Sequence, residues 1–130
     1  MTLLLDTHVF LWLMFAPEKL STTAMTACQD NENELLLSVA SLWEMQVKHQ
    51  LGKLELELPL AQIVREQTES GKFTLLFIDD RHVLTLDELP LHHNDPFDRL
   101  LIAQAQTERA RFVSADRAIR DYYAQAQLLW

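Results

Sequence analysis

The chain has 130 residues, of which 48% are hydrophobic, so we expect a single globular domain over residues 1–130 with one continuous core. The apolar run that includes Val9 to Phe15 is far short of the roughly 20 residues that span a bilayer, and no basic leader precedes the apolar N-terminus. With Cys28 as the only cysteine, no internal disulfide can form. These features indicate neither a membrane span nor export, and they predict a protein of the reducing cytoplasm.

The formal net charge of −8 has the wrong sign for binding a nucleic acid through overall charge. Divalent cations held by a carboxylate cluster would offset this charge locally. Five arginines fall in one C-terminal stretch, where they form either a local basic rim or ordinary solvated ion pairs: Arg99, Arg109, Arg111, Arg117 and Arg120. The sequence leaves both interpretations open.

Apolar runs bounded by polar or turn residues are typical of buried strands. They predict strands at Leu3–Leu5, Leu35–Leu37, Phe73–Ile78 and Phe112–Val113. Helical patterns with capping signals predict helices at His8–Phe15, Thr22–Asp30, Val39–Leu51, Leu60–Ser70, Pro96–Arg109 and Arg117–Ala126. The alternating segment Glu55–Leu58 fits a strand or two short helical turns equally well. Because strands and helices alternate, we predict an α/β sandwich around a mainly parallel sheet.

Four acidic residues stand where these elements direct side chains towards one edge of the sheet. Asp6 directly follows the first strand, and Asp116 follows the last predicted strand. Glu44 lies in the helix that leaves the second strand, and Asp98 lies in the first turn of the helix opened by Pro96. Ligands of open parallel sheets bind beyond the carboxyl ends of the strands. Carboxylates that meet there repel one another unless a proton or a cation joins them, and Mg²⁺ or Mn²⁺ would suit hydrolysis of a phosphodiester.

Each of these acids also has a simpler interpretation as part of a helix cap. The segment Asp95-Pro96-Phe97-Asp98 has the pattern of an N-cap with proline at the first helical position, and Ser41–Glu44 has the spacing of a capping box. Asp6 and Asp116 precede helices and fit as N-caps. Only the four together favour a metal site.

Four segments of the chain carry a specific resemblance. They are Leu3-Leu4-Leu5-Asp6-Thr7-His8, Ser38-Val39-Ala40-Ser41-Leu42-Trp43-Glu44, His93-Asn94-Asp95-Pro96-Phe97-Asp98-Arg99-Leu100-Leu101 and Val113-Ser114-Ala115-Asp116. In this order they resemble the acidic motifs of the PIN-domain family, in particular the VapC-type toxins of bacterial toxin–antitoxin pairs. The segment around Asp98 is the most specific match.

This resemblance implies a three-layer α/β/α fold, a homodimer, dependence on Mg²⁺ or Mn²⁺, and cleavage of RNA that halts translation or growth. It implies a cognate antitoxin protein whose C-terminal segment lies in an apolar groove and blocks the acidic site. The implied metal ligands and catalytic residues are Asp6, Glu44, Asp98 and Asp116, with Thr7, Asp95, Arg99 and Ser114 as supporting residues. For the supporting residues, helix caps and a surface ion pair are the simpler alternatives.

The first predicted helix bears on partners because Val9 to Phe15 is apolar on every side. One face should therefore meet the core and another a second subunit or an antitoxin, with full burial in the monomer as the alternative. Trp12 and Trp43 are expected to pack in the core.

Two other functions compete with the nuclease. A phosphatase of the haloacid-dehalogenase type would use Asp6 as its nucleophile, but such enzymes need a second aspartate two positions later, where this chain has His8. A non-catalytic α/β module that binds a partner would use its acids only as caps. With Gly52 and Gly71 as the only glycines, a glycine-rich nucleotide loop is excluded, and one cysteine cannot build a structural zinc site.

Overall fold

The computed structural model describes residues 1–91, 95–120 and 127–130. Within them, strands and helices alternate as the apolar pattern predicts. The strands are β1 (Thr2–Leu5), β2 (Glu34–Ser38), β3 (Phe73–Leu76), β4 (Arg111–Val113) and β5 (Leu128–Leu129). The helices are α1 (Thr7–Phe15), α2 (Thr22–Gln29), α3 (Val39–Gln50), α4 (Leu60–Glu69), α5 (Asp80–Thr85), α6 (Pro96–Thr107) and α7 (Arg117–Arg120). Short 3₁₀ turns lie at Pro17–Lys19 and Leu86–Glu88.

All five strands are parallel and lie in the order β3-β2-β1-β4-β5. Leu3 in β1 pairs with Leu35 on one side and with Arg111 on the other. From β1 the chain builds outwards through β2 and β3 on one side and later through β4 and β5 on the other. The strand order therefore reverses between β1 and β4, which is where open parallel sheets bind ligands.

Successive strand residues face opposite layers, so the sheet is covered on both sides. Leu3 and Leu5 face a cluster that includes Val9 and Phe10 of α1, together with residues of α2, α3 and α4. Leu4 faces a second cluster, which contains Leu101, Ile102, Ala103 and Ala105 of α6. These two apolar layers confirm the α/β/α sandwich.

Side-chain caps fix where three of the helices begin. The hydroxyl of Ser21 accepts a 3.0 Å hydrogen bond from the backbone N–H of Ala24 at the start of α2. The hydroxyl of Ser38 accepts from Ala40 at the start of α3, and Asp95 caps α6. The proposed capping box at Ser41–Glu44 is wrong, because α3 begins at Val39 and both residues lie inside the helix.

Several boundaries differ from the sequence prediction. Strand β3 ends at Leu76 and not at Ile78, and Phe77 is exposed. Residues 55–58 form neither a strand nor a helix. Helix α5 and strand β5 were not predicted, since the first is only six residues long and the second only two. The predicted helix Arg117–Ala126 begins as expected, but its residues 121–126 lie outside the described ranges.

Across those ranges, each helix is too short or too polar to cross a bilayer.

Candidate active site

A cleft of about 300 Å³ opens at the carboxyl edge of the sheet, beside the point where the strand order reverses. The four predicted acids line this cleft: Asp6, Glu44, Asp98 and Asp116. The supporting residue Asp95 also lines it, together with His8, Val9, Trp12 and Ala115. Residues that are up to 110 positions apart in the sequence are therefore neighbours in space. The fold supplies the convergence that the metal-site hypothesis requires.

Asp6 lies at the end of β1 and is only 5% exposed. Its Oδ2 accepts a 2.8 Å hydrogen bond from the hydroxyl of Ser114, while no partner of Oδ1 is found among the described residues. Asp6 occupies the N-cap position of α1, as the capping interpretation expects, but its side chain is bonded to Ser114 and makes no capping hydrogen bond to that helix. Burial raises the pKa of Asp6, the Ser114 hydrogen bond and His8 oppose that rise, and the nearby charge of Glu44 adds to it.

Glu44 is on the buried face of α3 and is 2% exposed. Its Oε2 accepts a hydrogen bond from the ammonium group of Lys48, one helical turn later. Within the described structure, its Oε1 has no hydrogen-bond partner. Burial acts to lower the pKa of Lys48, but the hydrogen bond and charge of Glu44 outweigh it and raise the pKa. This lysine therefore stays protonated beside the carboxylate.

The other acids of the cleft are half-buried and sit at helix starts. Oδ1 of Asp95 accepts from the backbone N–H groups of Phe97 and Asp98, at 2.9 and 3.1 Å, so Asp95 is the N-cap of α6 as predicted. This cap fixes the turn that carries Asp98. The N–H of Asp116 donates to the Ser114 hydroxyl, and Oδ1 of Asp116 accepts from Ala118, so Asp116 combines a cap with a place in the cleft.

The donor set of the cleft fits a hard divalent cation. Asp6 and Glu44 each have a buried carboxylate oxygen that lacks a partner among the described residues, and a buried polar atom without a hydrogen bond is costly. Mg²⁺ and Mn²⁺ prefer such oxygen ligands and keep several waters. Among the described residues, no three acidic, histidine or cysteine side chains are placed closely enough to enclose an ion by themselves.

Two of the supporting residues have structural contacts. The Thr7 hydroxyl donates a 2.9 Å hydrogen bond to Ser41, which ties α1 to α3 beneath the cleft. The Arg99 guanidinium donates to the carbonyl oxygens of Pro90 and Leu86, at 2.6 and 3.2 Å, and so anchors the segment that leads to α6. Within the described structure, the Arg99 contacts are to backbone oxygens and not the surface ion pair that was its simpler alternative.

The four arginines of the C-terminal stretch whose side chains the structure describes do not form one basic rim. Arg99 binds the carbonyls described above, and Arg111 donates to the carbonyl oxygen of Leu128. Arg109 and Arg117 are exposed, and the side chain of Arg120 lies outside the described structure. Two of these arginines therefore bind backbone carbonyl groups, and two face the solvent.

Sequence reasoning missed Lys48, although its spacing of four residues from Glu44 on a predicted helix is a signal for an ion pair. It was also wrong about Trp43, which is 57% exposed and packs edge-to-face on Phe97 with ring centroids 4.9 Å apart. Trp12 is half-buried, packs against Trp130 and lines the cleft. In α1, Val9 and Phe10 are buried, whereas Leu11 to Phe15 are only partly covered.

Comparisons with known proteins agree with this geometry. The chain is 29% identical over 122 residues to ribonuclease VapC22 of Mycobacterium tuberculosis, which covers 93% of this chain and 92% of that protein. The fold is similar to a chain in the crystal structure of VapBC2 from Rickettsia felis bound to a promoter DNA fragment, with a TM-score of 0.66, 13% identity and coverage of 98% and 96% of the two chains. It is also similar to a chain of a toxin–antitoxin complex from Klebsiella pneumoniae, with a TM-score of 0.57, 16% identity and coverage of 96% and 93%. Residues 3–125 match the sequence profile of the PIN domain, and the chain therefore belongs to the PIN-domain family.

Proposed function

We propose that this protein is an endoribonuclease that hydrolyses RNA phosphodiester bonds with Mg²⁺ or Mn²⁺ and acts as the toxin of a toxin–antitoxin pair. Its membership of the PIN-domain family supports this proposal. Further support comes from its similarity to a VapC ribonuclease over nearly the whole of both chains, and from its structural likeness to chains of toxin–antitoxin complexes. The phosphatase alternative lacks its second aspartate, because His8 occupies that position.

The observation that carries the proposal is the pair of buried carboxylates, Asp6 and Glu44, on the wall of one cleft. Each has an oxygen without a partner in the described structure, and the charge of Glu44 helps to raise the pKa of Asp6. A module that used its acids only as caps would not need to bury two carboxylates in this way, since burial of a polar oxygen without a hydrogen-bond partner is costly. A bound cation would remove that cost and would attract the RNA phosphate that the carboxylates alone repel.

The residues proposed to hold the metal are Asp6, Glu44, Asp98 and Asp116. When bound, Mg²⁺ or Mn²⁺ lowers the pKa of an attacking water and neutralises charge on the phosphate. The protein positions the ligands: Ser114 orients Asp6, and the Asp95 cap fixes the turn that carries Asp98. Lys48 binds one carboxylate oxygen of Glu44, and the other oxygen has no partner among the described residues.

The proposed partners are RNA as the substrate, a cognate antitoxin protein and a second copy of the chain, with the cytoplasm as the place of action. The partly covered residues of α1, Leu11 to Phe15, adjoin the cleft through Trp12 and offer an antitoxin an apolar surface beside the acidic site.

For the second copy, we propose a surface around α5, which we call the α5 patch. It contains exposed apolar side chains that are close together in the sequence: Phe77, Ile78, Val83 and Leu84.

Sequencing of RNA ends after brief induction of the protein in bacteria tests activity and target together. New 5′ ends that recur at defined sites, accompanied by growth arrest, are expected from the natural chain and not from Asp6→Asn. Asp87→Asn is the matched control, because Asp87 is exposed and lies outside the cleft. An unchanged pattern of RNA ends in cells that contain soluble natural protein would contradict the proposal.

A further inference from the structure

A second cavity, of about 280 Å³, adjoins the acidic cleft and shares two of its lining residues, His8 and Glu44. We call it the lysine pocket, because Lys48 and Lys53 line it, together with apolar side chains of α1, α3 and the segment after α3. His8 and Glu44 therefore form a wall that the two cavities share.

The charge of the lysine pocket is opposite to that of the cleft. Its only acid is Glu44, whose charge is balanced by Lys48. Lys53 is exposed and forms no ion pair within the residues that the structure describes. The backbone N–H of Lys53 donates to the carbonyl oxygen of Lys48 at 2.8 Å, which holds the two lysines at adjacent positions. In a chain with a net charge of −8, the pocket thus carries an uncompensated positive charge beside a cluster of acids.

Apolar side chains complete the pocket. Leu11, Met45 and Leu54 line it alongside the lysines. A nucleotide presents the same combination of groups, since an anionic phosphate is attached to a ribose and a base with apolar faces. A bare inorganic anion would use only the lysines.

We propose that the lysine pocket binds a backbone phosphate of the RNA strand on one side of the bond that is cut. This inference rests on the proposed ribonuclease function. Lys53 is the residue that contacts this phosphate, and Lys48 contributes positive charge while it holds Glu44. The pocket therefore fixes the direction of the strand through the cleft, because the other walls of the cleft carry carboxylates that repel phosphate.

This contact can be tested with short RNA substrates. In each of them, one phosphate that flanks the cleavage site is replaced by an uncharged methylphosphonate. Their binding by fluorescence anisotropy and their cleavage are measured for the natural protein, for Lys53→Ala and for Lys72→Ala. Lys72 is a matched control, because it is also exposed but directly precedes β3, at the opposite edge of the sheet from the cleft. The exposure of Lys53 means that its replacement leaves the core intact.

We expect one methylphosphonate position to weaken binding by the natural protein about tenfold, the size of one hydrogen bond to a charged group. Lys53→Ala should bind the unmodified RNA about tenfold more weakly and show no further loss at that position. Its slope of log affinity against log salt should be smaller by about 0.7, the value for one phosphate of a single strand. Lys72→Ala should behave as the natural protein in all three measurements.

Equal methylphosphonate penalties in the natural protein and in Lys53→Ala would overturn the proposal. So would a Lys53→Ala variant with unchanged RNA binding but weaker inhibition by a protein antitoxin, since the pocket would then serve that partner. The two readouts separate this inference from the proposed function. Cleavage without any effect of Lys53 refutes only the pocket, whereas binding that depends on Lys53 without any cleavage refutes only the nuclease.

Discussion

The hydroxyl of Ser114 donates a 2.8 Å hydrogen bond to Asp6 and so joins the ends of the neighbouring strands β4 and β1. The same hydroxyl accepts from the backbone N–H of Asp116. One buried oxygen therefore orients an acid on each side of the point where the strand order reverses.

Replacement of this hydroxyl in Ser114→Ala should lower cleavage about tenfold and cost about 1–3 kcal/mol of unfolding free energy, because a buried carboxylate oxygen loses its donor. Steady-state cleavage and urea unfolding measure the two effects. Ser21→Ala is the control, since it removes the cap of α2 and should cost about 1 kcal/mol of stability while activity stays unchanged. Equal losses of activity in both variants would show that Ser114 acts only through stability.

The charge of Asp98 is tested by Asp98→Asn, which removes it at nearly constant shape. We expect cleavage to fall by at least roughly 100-fold, because even the loss of groups that support metal ligands typically costs 10- to 100-fold. Circular dichroism and the unfolding midpoint should stay close to those of the natural protein. Asp87→Asn removes an equal charge from an exposed site outside the cleft and should retain full activity. An active Asp98→Asn preparation would refute the role of this residue.

The raised pKa of Asp6 predicts how stability depends on pH without metal. Between the ordinary pKa and the raised pKa, the folded protein binds more protons at Asp6 than the unfolded chain does. Unfolding free energy from this group should therefore decrease as the pH rises through that window. Asp6→Asn should remove this component and raise the melting temperature of the metal-free protein at neutral pH.

The same variant separates the two roles of Asp6 when Mn²⁺ is added. The natural protein should gain stability with increasing Mn²⁺, by the mass action of a ligand that binds only the folded state, whereas Asp6→Asn should gain less. Thermal melts over a series of pH values and Mn²⁺ concentrations measure both effects. A natural protein whose melting temperature ignores Mn²⁺ would argue for carboxylates that act only as caps.

Lys48 should stabilise the metal-free protein, because it is the cation that contacts buried Glu44. Lys48→Met should cost about 2 kcal/mol, less than the 3–5 kcal/mol typical of a fully buried pair, since Lys48 itself is one-third exposed. Mn²⁺ should restore part of the loss by supplying positive charge at the same carboxylate. Lys72→Met on the exposed surface should change stability by less than about 0.5 kcal/mol.

The α5 patch predicts a homodimer in solution. Leu84 is 71% exposed, and Leu84→Glu would place a charge within an apolar contact between two copies. Light scattering after size exclusion should give a dimer mass for the natural chain and a monomer mass for the variant, with unchanged circular dichroism. A monomeric natural protein at high concentration, or a dimeric Leu84→Glu variant, would contradict this surface.

The sequence was most informative where a segment is long or fully buried. The runs around Leu4 and Leu36 are apolar because both faces of the sheet are covered, and this made the parallel α/β sandwich predictable. Strand β5 was not predictable, because Leu128 and Leu129 are too few to show any period and form a strand only by pairing with β4. Helix α5 depends on a local cap, in which Asp79 accepts from Arg81 and His82, and not on an apolar pattern.

For the candidate site, the motifs predicted four acids that the structure places around one cleft, but only the fold could show how deeply each of them is buried. The sequence favours a capping role for Asp6, since the residue directly precedes a helix. It could not show the hydrogen bond from Ser114, because that bond depends on the pairing of β1 with β4. The exposure of Trp43 was equally hidden, because an aromatic residue inside a helix is usually turned to the core. The lysine pocket depends on the placement of α1 beside α3, which sequence spacing does not give.

Because β4 is late in the chain but pairs with β1, the cleft is complete only after residue 116 has been synthesised and has folded onto the first strand. A growing chain on the ribosome, surrounded by RNA, thus carries its first two acids without the last two. The order of strands in the sheet therefore delays the assembly of the acidic cleft until β4 has paired with β1.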